Sequence, residues 1–469
     1  MRLSRENLNS LTAAIATPRY SFVNQAVGII HLGVGAFHRA HQAVYTDDAM
    51  NGGDSNFAIL GVSMRSPKMA EQLNPQNGLY SVIERDTSQS QVRIIGSLSE
   101  VVTAHQHLPE ILNTFKSVHL AVVTLTVTEK GYHQTPSGEL DVNDIAVRAD
   151  LSDSRSAQTI YGLLRIGLKA RQSLKLPGVT LLSCDNLSHN GTRLKNSLAT
   201  FLSIVDPSLA HWFTDNCTCP SSMVDRIVPA VTEDIRREAF NQLGMFDEGV
   251  VATEPFRQWV IEDDFAGRRP QWNLGNAQWV SDISVFEKAK LRLLNGAHST
   301  LAYIGLRHGL TFVHEAISFP LIRKHVELQM RQESAPSLDP SFATLVDDYI
   351  SKLLIRFSNQ SLAHRLEQIA TDGSQKITQR WLPVLHEAQL QGQSCPYLLT
   401  SLAYWIQYTC GGLHITKDPL AEFFNELWST SDATGVVHAL FGANGRFSTA
   451  FSPKPETLAQ LTKTVQSLL

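Results

Sequence analysis

Residues 26–47 read Ala26-Val-Gly-Ile-Ile-His-Leu32-Gly33-Val-Gly35-Ala-Phe37-His38-Arg39-Ala-His41-Gln-Ala-Val-Tyr-Thr-Asp47. An apolar run that ends on two glycines and passes into helix-forming residues predicts a strand, a tight turn and a helix. That arrangement brings backbone N–H groups against a phosphate. The third glycine of G-x-G-x-x-G is missing, and His38 stands in its place. Glycine pairs after strands are also common loop punctuation, so the stretch alone leaves a plain loop and a cofactor site both open.

Working outward, strand-like apolar runs follow at 57–63, 91–95, 118–126 and 179–183, with helical periodicity at 108–115 and 159–172 between them. Alternating strands and helices with near-continuous apolar strands imply an open, mostly parallel sheet covered on both faces. Ligand contacts are then expected at the strand C-terminal ends. Two of those ends are polar: Thr126-Val-Thr128-Glu129-Lys-Gly-Tyr132 and Cys184-Asp185-Asn186-Leu-Ser-His189-Asn-Gly191.

After about residue 280 strong strand runs disappear and helical spacing dominates, at 286–307, 319–331, 342–356, 381–390, 397–408 and 420–428. The expected architecture is α/β: a Rossmann-like dinucleotide-binding domain over 1–280, then a mainly helical substrate and catalytic domain over 281–469. The second domain opens with Glu287-Lys-Ala-Lys290-Leu-Arg-Leu-Leu-Asn295-Gly-Ala-His298. At about 100° per residue Glu287, Asn295 and His298 share a helix face with Lys290, amid leucines. A lysine held among apolar side chains loses hydration, which disfavours its charged form and suits it to acid/base work. The expected place of this helix is where the domains meet, since ligand sites favour such junctions.

The chain has 469 residues, 43% hydrophobic and 18% charged, with 40 Lys and Arg against 44 Asp and Glu for a formal charge of -4. This balance argues against nucleic acid or an anionic membrane surface as a partner. Five cysteines, including Cys217-Thr-Cys219, form neither a disulfide framework nor a zinc pattern. No metal is expected. With no apolar leader and no run of about 18 apolar residues, a cytoplasmic enzyme is expected. Monomer and homodimer are both compatible with the sequence.

Five ordered motifs, G-V-G-A-F-H-R-A-H-Q at 33–42, T-x-T-E-x-G-Y at 126–132, S-C-D-N-L-x-H-N-G at 183–191, M-V-D-R-I at 223–227 and K-x4-N-x2-H at 290–298, together resemble the long-chain mannitol dehydrogenase family of polyol-specific dehydrogenases. The resemblance implies zinc-independent hydride transfer between NAD(P) and a sugar alcohol or sugar acid. It implies Lys290 as acid/base, Asn186 and Asn295 as donors to the reacting oxygen, His298 as a substrate hydrogen-bond partner, and Glu287 as a proton relay. For the cofactor it implies Gly33, Gly35, Ala36, Phe37, His38, Arg39, Thr126, Thr128, Glu129 and Asn186, and for the substrate Asp225.

The segment Leu362-Ala-His364-Arg365-Leu-Glu-Gln368-Ile-Ala-Thr-Asp372-Gly-Ser-Gln-Lys376 resembles the fructuronate reductase (D-mannonate oxidoreductase) branch. Mannitol enzymes tend to carry arginine where Gln368 stands. A substrate carboxylate calls for a cation such as Arg365, which can bind it bidentately, with Lys376 as a second. NAD is the expected cofactor, yet after Ser63 comes Met64-Arg65-Ser66-Pro67-Lys68, with no acid until Glu71. An Asp or Glu normally takes the ribose hydroxyls there, whereas an arginine accommodates a 2′-phosphate, so NADP stays open. The expected reaction interconverts D-fructuronate and D-mannonate. A neutral-polyol dehydrogenase for mannitol or arabinitol, and a nucleotide-binding regulator without turnover, are the alternatives.

Overall fold

The computed structural model describes residues 1–469 except 24, 87–88, 136, 362 and 413–415. The chain divides into two compact units, Met1–Ile283 and Ser284–Leu469.

In the first unit, five strands form a sheet in the order β5-β2-β1-β6-β7, from β1 (Val27–Leu32), β2 (Ala58–Ser63), β5 (Leu98–Thr103), β6 (Val122–Leu125) and β7 (Thr180–Ser183). Every pairing in it is parallel. β2, β6 and β7 are buried throughout, as expected of a sheet covered by helices on both faces. Strand order reverses between β1 and β6, so a crevice opens where Leu32 and Leu125 end.

The strand run at 91–95 does not join this sheet. It forms β4 (Ser90–Ile95), antiparallel to β3 (Tyr80–Arg85), in a side sheet completed by β9 (Val251–Thr253). Residue pattern marks a strand but not its partner, and here the partner is the hairpin neighbour. A third sheet joins β8 (Ser222–Asp225), β10 (Gln258–Glu262) and β11 (Gln278–Val280). The run at 118–126 shrinks to β6 at its start, because Val118 is 68% exposed and lies in the turn before the sheet.

The second unit is helical. The helix Gly296–Arg307 is buried from Gly296 to Leu306, which puts it at the centre of its unit, with His298, Ser299 and Thr300 as buried polar groups. Leu293, Ala297, Leu301, Trp381 and Trp405 belong to its core. Gly373 begins the helix Gly373–Arg380, and a Cβ there would come within 2.4 Å of the Tyr303 hydroxyl and 2.5 Å of Trp405 Nε1. Glycine is thus what lets that helix start against the core.

Lys290 to His298 is not one regular α-helix. The α-helix Ser284–Ala289 passes into a π-helical turn, Lys290–Asn295, before Gly296–Arg307 resumes α geometry. The 100° spacing fails here. In an i→i+5 turn, residues five apart lie nearly one above the other, so the turn brings Asn295 over Lys290, where α geometry would put it about 140° away.

Candidate active site

The crevice of the first unit is a cavity of about 460 Å³. Gly33, Val34 and Gly35 after β1, Ser63 to Ser66 after β2, and Thr126 to Thr128 after β6 line it, with Gln158 and Thr159 on the far side. Gly33 sits at φ +100, and a Cβ on it would lie 2.2 Å from the Thr126 carbonyl oxygen. Only glycine permits that approach. The Thr126 hydroxyl donates to Gly33 O at 2.7 Å, locking the two strand ends together. At Gly35 a Cβ would meet nothing closer than 3.9 Å, so the floor there is bare backbone. A dinucleotide phosphate can lie against such a floor, and the residues present fit that group.

The loop after β6 is held by a buried carboxylate. Asp185 accepts from the backbone N–H groups of Val127 and Thr128 at 3.1 and 2.9 Å and from the Tyr132 hydroxyl at 2.9 Å. Burial pushes its pKa up, against the pull of those donors. Asn190 extends the tie, its amide donating to Asp185 O and Ser222 O at 3.0 and 2.7 Å. Asn186 stands exposed between β7 and the helix Asn190–Val205, next to this fixed point. Asp185, Tyr132 and Asn190 were within the sequence motifs, yet nothing in the sequence separates their supporting role from ligand contact.

Several residues expected at the cofactor face elsewhere. His38 is fully buried, its ring stacked on His31 with centroids 3.3 Å apart. Burial holds both imidazoles well below their ordinary pKa. Arg39 donates Nη1 to Gly249 O and Nε to Gly35 O, and lies against Tyr80. Both side chains turn inward, His38 onto His31 of β1 and Arg39 toward Tyr80 of the side sheet and Gly249, because a buried guanidinium needs acceptors and the backbone there supplies them. Phe37 stacks on His41 at 5.1 Å. Ala36, Phe37 and the exposed Glu129 are not among the residues lining the cavity, whereas Arg65, Thr126 and Thr128 are. Asp225 is buried at the end of β8 opposite Gln258, and its neighbour Arg226 donates to Ala40 O and Glu254 O and pairs with Glu84.

In the second unit, Lys290 and His298 are each 8% exposed, and Asn295 and Glu287 are half-buried. Arg292, in the π turn, forks onto Glu387 at 2.6 and 2.5 Å and onto Ser337 O at 2.8 Å. His298 Nε2 has no hydrogen-bond partner among the described residues, and neither has Nδ1 of His364, whose ring lies 5.2 Å away at 83°. Burial drives the His298 pKa far down, and His364, Arg356, Arg380 and Lys290 push it the same way. Lys376 donates to Ile369 O at 3.1 Å. Burial and Arg380 bring its pKa down to about 8, with Asp372 and Asp418 opposing.

Arg365 does not join this group in the way its sequence position suggested. It is exposed, with its guanidinium 5.5 Å above the Phe312 ring. It forms a bridge with Phe312 just before the helix Leu366–Ala370, and in extended backbone adjacent side chains point to opposite sides. His364 therefore turns toward His298 and Arg365 away. Gln368 is exposed, and Leu362 lies outside the described residues. The members the sequence reading missed are His364, Arg356 and Arg380. Among the described residues no three His, Cys, Asp or Glu are grouped to hold a metal, and no helix is long and apolar enough to cross a membrane.

A parallel sheet with a glycine-floored crevice, joined in one chain to a helical unit carrying a buried lysine, defines a nicotinamide-dependent dehydrogenase. Comparison gives the family. The mannitol dehydrogenase Rossmann domain matches residues 27–274 and the mannitol dehydrogenase C-terminal domain residues 282–469. The chain belongs to the mannitol dehydrogenase family and is an NAD-dependent oxidoreductase of secondary alcohols.

Among relatives, D-mannonate oxidoreductase of Escherichia coli is 38% identical over 97% of this chain and 96% of its own. A mannitol 2-dehydrogenase of Pyrenophora tritici-repentis is 35% identical over 90% and 77%. Among solved structures, Pseudomonas fluorescens mannitol 2-dehydrogenase in ternary complex with NAD and D-mannitol has a TM-score of 0.84 at 33% identity, covering 100% of this chain and 97% of that one. Substrate-free D-sorbitol dehydrogenase has a TM-score of 0.89 at 28% identity, covering 99% and 96%.

Proposed function

We propose that this enzyme interconverts D-fructuronate and D-mannonate. The observation that carries this reading is the charge around His298, where Lys290, Arg356 and Arg380 all push its pKa down. Lys376 adds a further cation beyond His364. A buried positive set of this kind favours an anionic ligand, and a hexonate carries a carboxylate where a polyol has none. Similarity to D-mannonate oxidoreductase over nearly the whole chain supports the same substrate class.

The nicotinamide, when bound, supplies or accepts the hydride. Lys290 gives the proton to the ketone oxygen in reduction and takes it back in oxidation. The amides of Asn295 and Asn186 donate to that oxygen as charge develops, a term commonly worth about 3 kcal/mol per donor. His298 offers Nε2 to a neighbouring hydroxyl, and Glu287 exchanges protons between Lys290 and solvent.

The competing reading is a neutral-polyol dehydrogenase, favoured by the similarity to mannitol 2-dehydrogenases. A substrate panel separates the two: fructuronate, tagaturonate and fructose with reduced cofactor, mannonate and mannitol with oxidised cofactor, followed at the nicotinamide absorbance. Fructuronate is expected to exceed fructose in kcat/KM by at least about tenfold, one charge-assisted hydrogen bond's worth. A preference for fructose and mannitol overturns the proposal. Lys290→Ala is expected to lower kcat by about 100-fold or more, and near-normal turnover would remove the lysine from its role.

A further inference from the structure

The π turn Lys290–Asn295 needs an explanation of its own. An i→i+5 turn inserted in an i→i+4 ladder holds one residue too many, so the backbone at its exit has two registers open to it and can be fixed in one by contacts from outside the helix. Two neighbouring side chains at the end of the helix Gly373–Arg380 provide them. Arg380 donates Nη1 to Asn295 O at 3.1 Å and to Ser299 Oγ at 2.8 Å. Trp381 donates Nε1 to Gly296 O at 3.1 Å. Trp381 is fully buried, as is Ser299 to within 1%. The opposite side of the turn is gripped through Arg292, forked on Glu387.

Both donors thus act on the one-residue step where π geometry gives way to α geometry. These contacts fix the backbone of Asn295 and Gly296 to the helix Gly373–Arg380 and to Trp381, so a rotation of that backbone into α register would have to break them. If the turn tightened to α geometry, Asn295 would swing about 140° around the axis from Lys290, and the two groups would no longer face the same oxygen.

We propose that Arg380 and Trp381 are positioning residues that hold the π register, and through it the alignment of Asn295 with Lys290. This rests on Lys290 being the acid/base. Neither side chain needs to touch the substrate. Their effect is expected in kcat, because a catalytic group displaced by about 1 Å costs on the order of a hundredfold.

The test is steady-state kinetics of the full chain on the fastest substrate of the panel, with Arg380→Ala, Arg380→Lys, Trp381→Phe and Lys290→Ala side by side. Arg380→Ala is expected to lose about a hundredfold in kcat, with the cofactor KM within about threefold and any rise in the substrate KM far smaller than the fall in kcat. Guanidinium chloride at low millimolar concentration is expected to restore part of the loss, as it would not for a general weakening of the fold. Arg380→Lys, which lacks the forked geometry, is expected to fall between. Should Arg380→Ala not fold, Trp381→Phe decides, since it keeps the ring and removes a single donor; a several-fold fall in kcat at unchanged KM is expected. Wild-type kcat in the Arg380 and Trp381 variants, with Lys290→Ala inactive, overturns this inference alone. Near-wild-type turnover in Lys290→Ala overturns the lysine reading and the inference with it.

Discussion

The rings of His298 and His364 stand nearly perpendicular, 83° apart with centroids at 5.2 Å, and each presents a nitrogen with no partner among the described residues. Burial lowers the pKa of both, and the cations Lys376 for one and Arg356, Arg380 and Lys290 for the other add to it. Two neutral imidazoles in this arrangement can each take one hydroxyl of a polyhydroxylated substrate. His364→Ala is expected to raise substrate KM by about tenfold, the value of one hydrogen bond, while the cofactor dissociation constant holds. A KM unchanged within error would remove His364 from the substrate.

The cofactor cavity ends beside Ser63, Met64, Arg65 and Ser66, and among the described residues no Asp or Glu lines it. Without a carboxylate to bind the ribose hydroxyls, a 2′-phosphate meets no like charge, and Arg65 offers it a partner. Arg65→Glu is expected to weaken NADPH binding by at least about tenfold and leave NADH nearly unchanged, as read from nucleotide fluorescence titrations. Equal effects on both cofactors would place Arg65 away from the ribose.

Gly33 and Gly35 should respond differently to the same methyl group. Gly33→Ala forces a strained φ and a collision with Thr126 O, so a loss of roughly 3 kcal/mol or more in folding stability is expected. Gly35 has φ -90 and open space around it. Gly35→Ala is expected to keep its melting temperature and lose cofactor affinity, because the methyl enters the cavity. A drop in melting temperature for Gly35→Ala matching that of Gly33→Ala would contradict the assignment.

Glu333 gives a pH prediction. It accepts from Tyr397 N and Leu398 N at 2.8 and 2.7 Å, and burial nevertheless raises its carboxyl to about 7. The folded chain therefore holds this proton more tightly than the unfolded chain, so the group's contribution to stability declines as pH rises from about 4.5 to about 7 and is constant above. The melting temperature of wild type minus that of Glu333→Gln is expected to fall between pH 5 and pH 8. A difference independent of pH would refute the raised pKa.

What the sequence made legible follows from physics local to the chain. The strand into Gly33 and Gly35 could be read because an apolar run and two glycines are local signals, and the helical character after residue 280 because periodicity is local too. The partner of 91–95 could not, although it is the neighbouring strand Tyr80–Arg85, because a residue pattern marks a strand without marking what it pairs with. His38 and Arg39 sit three and four residues beyond Gly35 of the cavity-facing turn, and only the fold shows that they point inward. Arg365 outranked Arg380 because it lies beside a motif, whereas Arg380's contact with Asn295 spans 85 residues. The π turn was hidden by the assumption of 100° per residue.

An i→i+5 turn is an α-helix carrying one surplus residue, so the interval between Lys290 and Asn295 is itself a functional quantity. Deleting Leu291, which is only half-buried, would let the helix run on without interruption and leave the amide four residues from the lysine, where α geometry again stacks the two. Natural selection on this segment would then act on length and turn type together, five residues with a π turn being equivalent to four with an α turn. Of two relatives that both retain the lysine, the asparagine and the histidine, one with a four-residue interval in an unbroken α-helix is expected to keep the chemistry, whereas a five-residue interval without the π turn is expected to forfeit it.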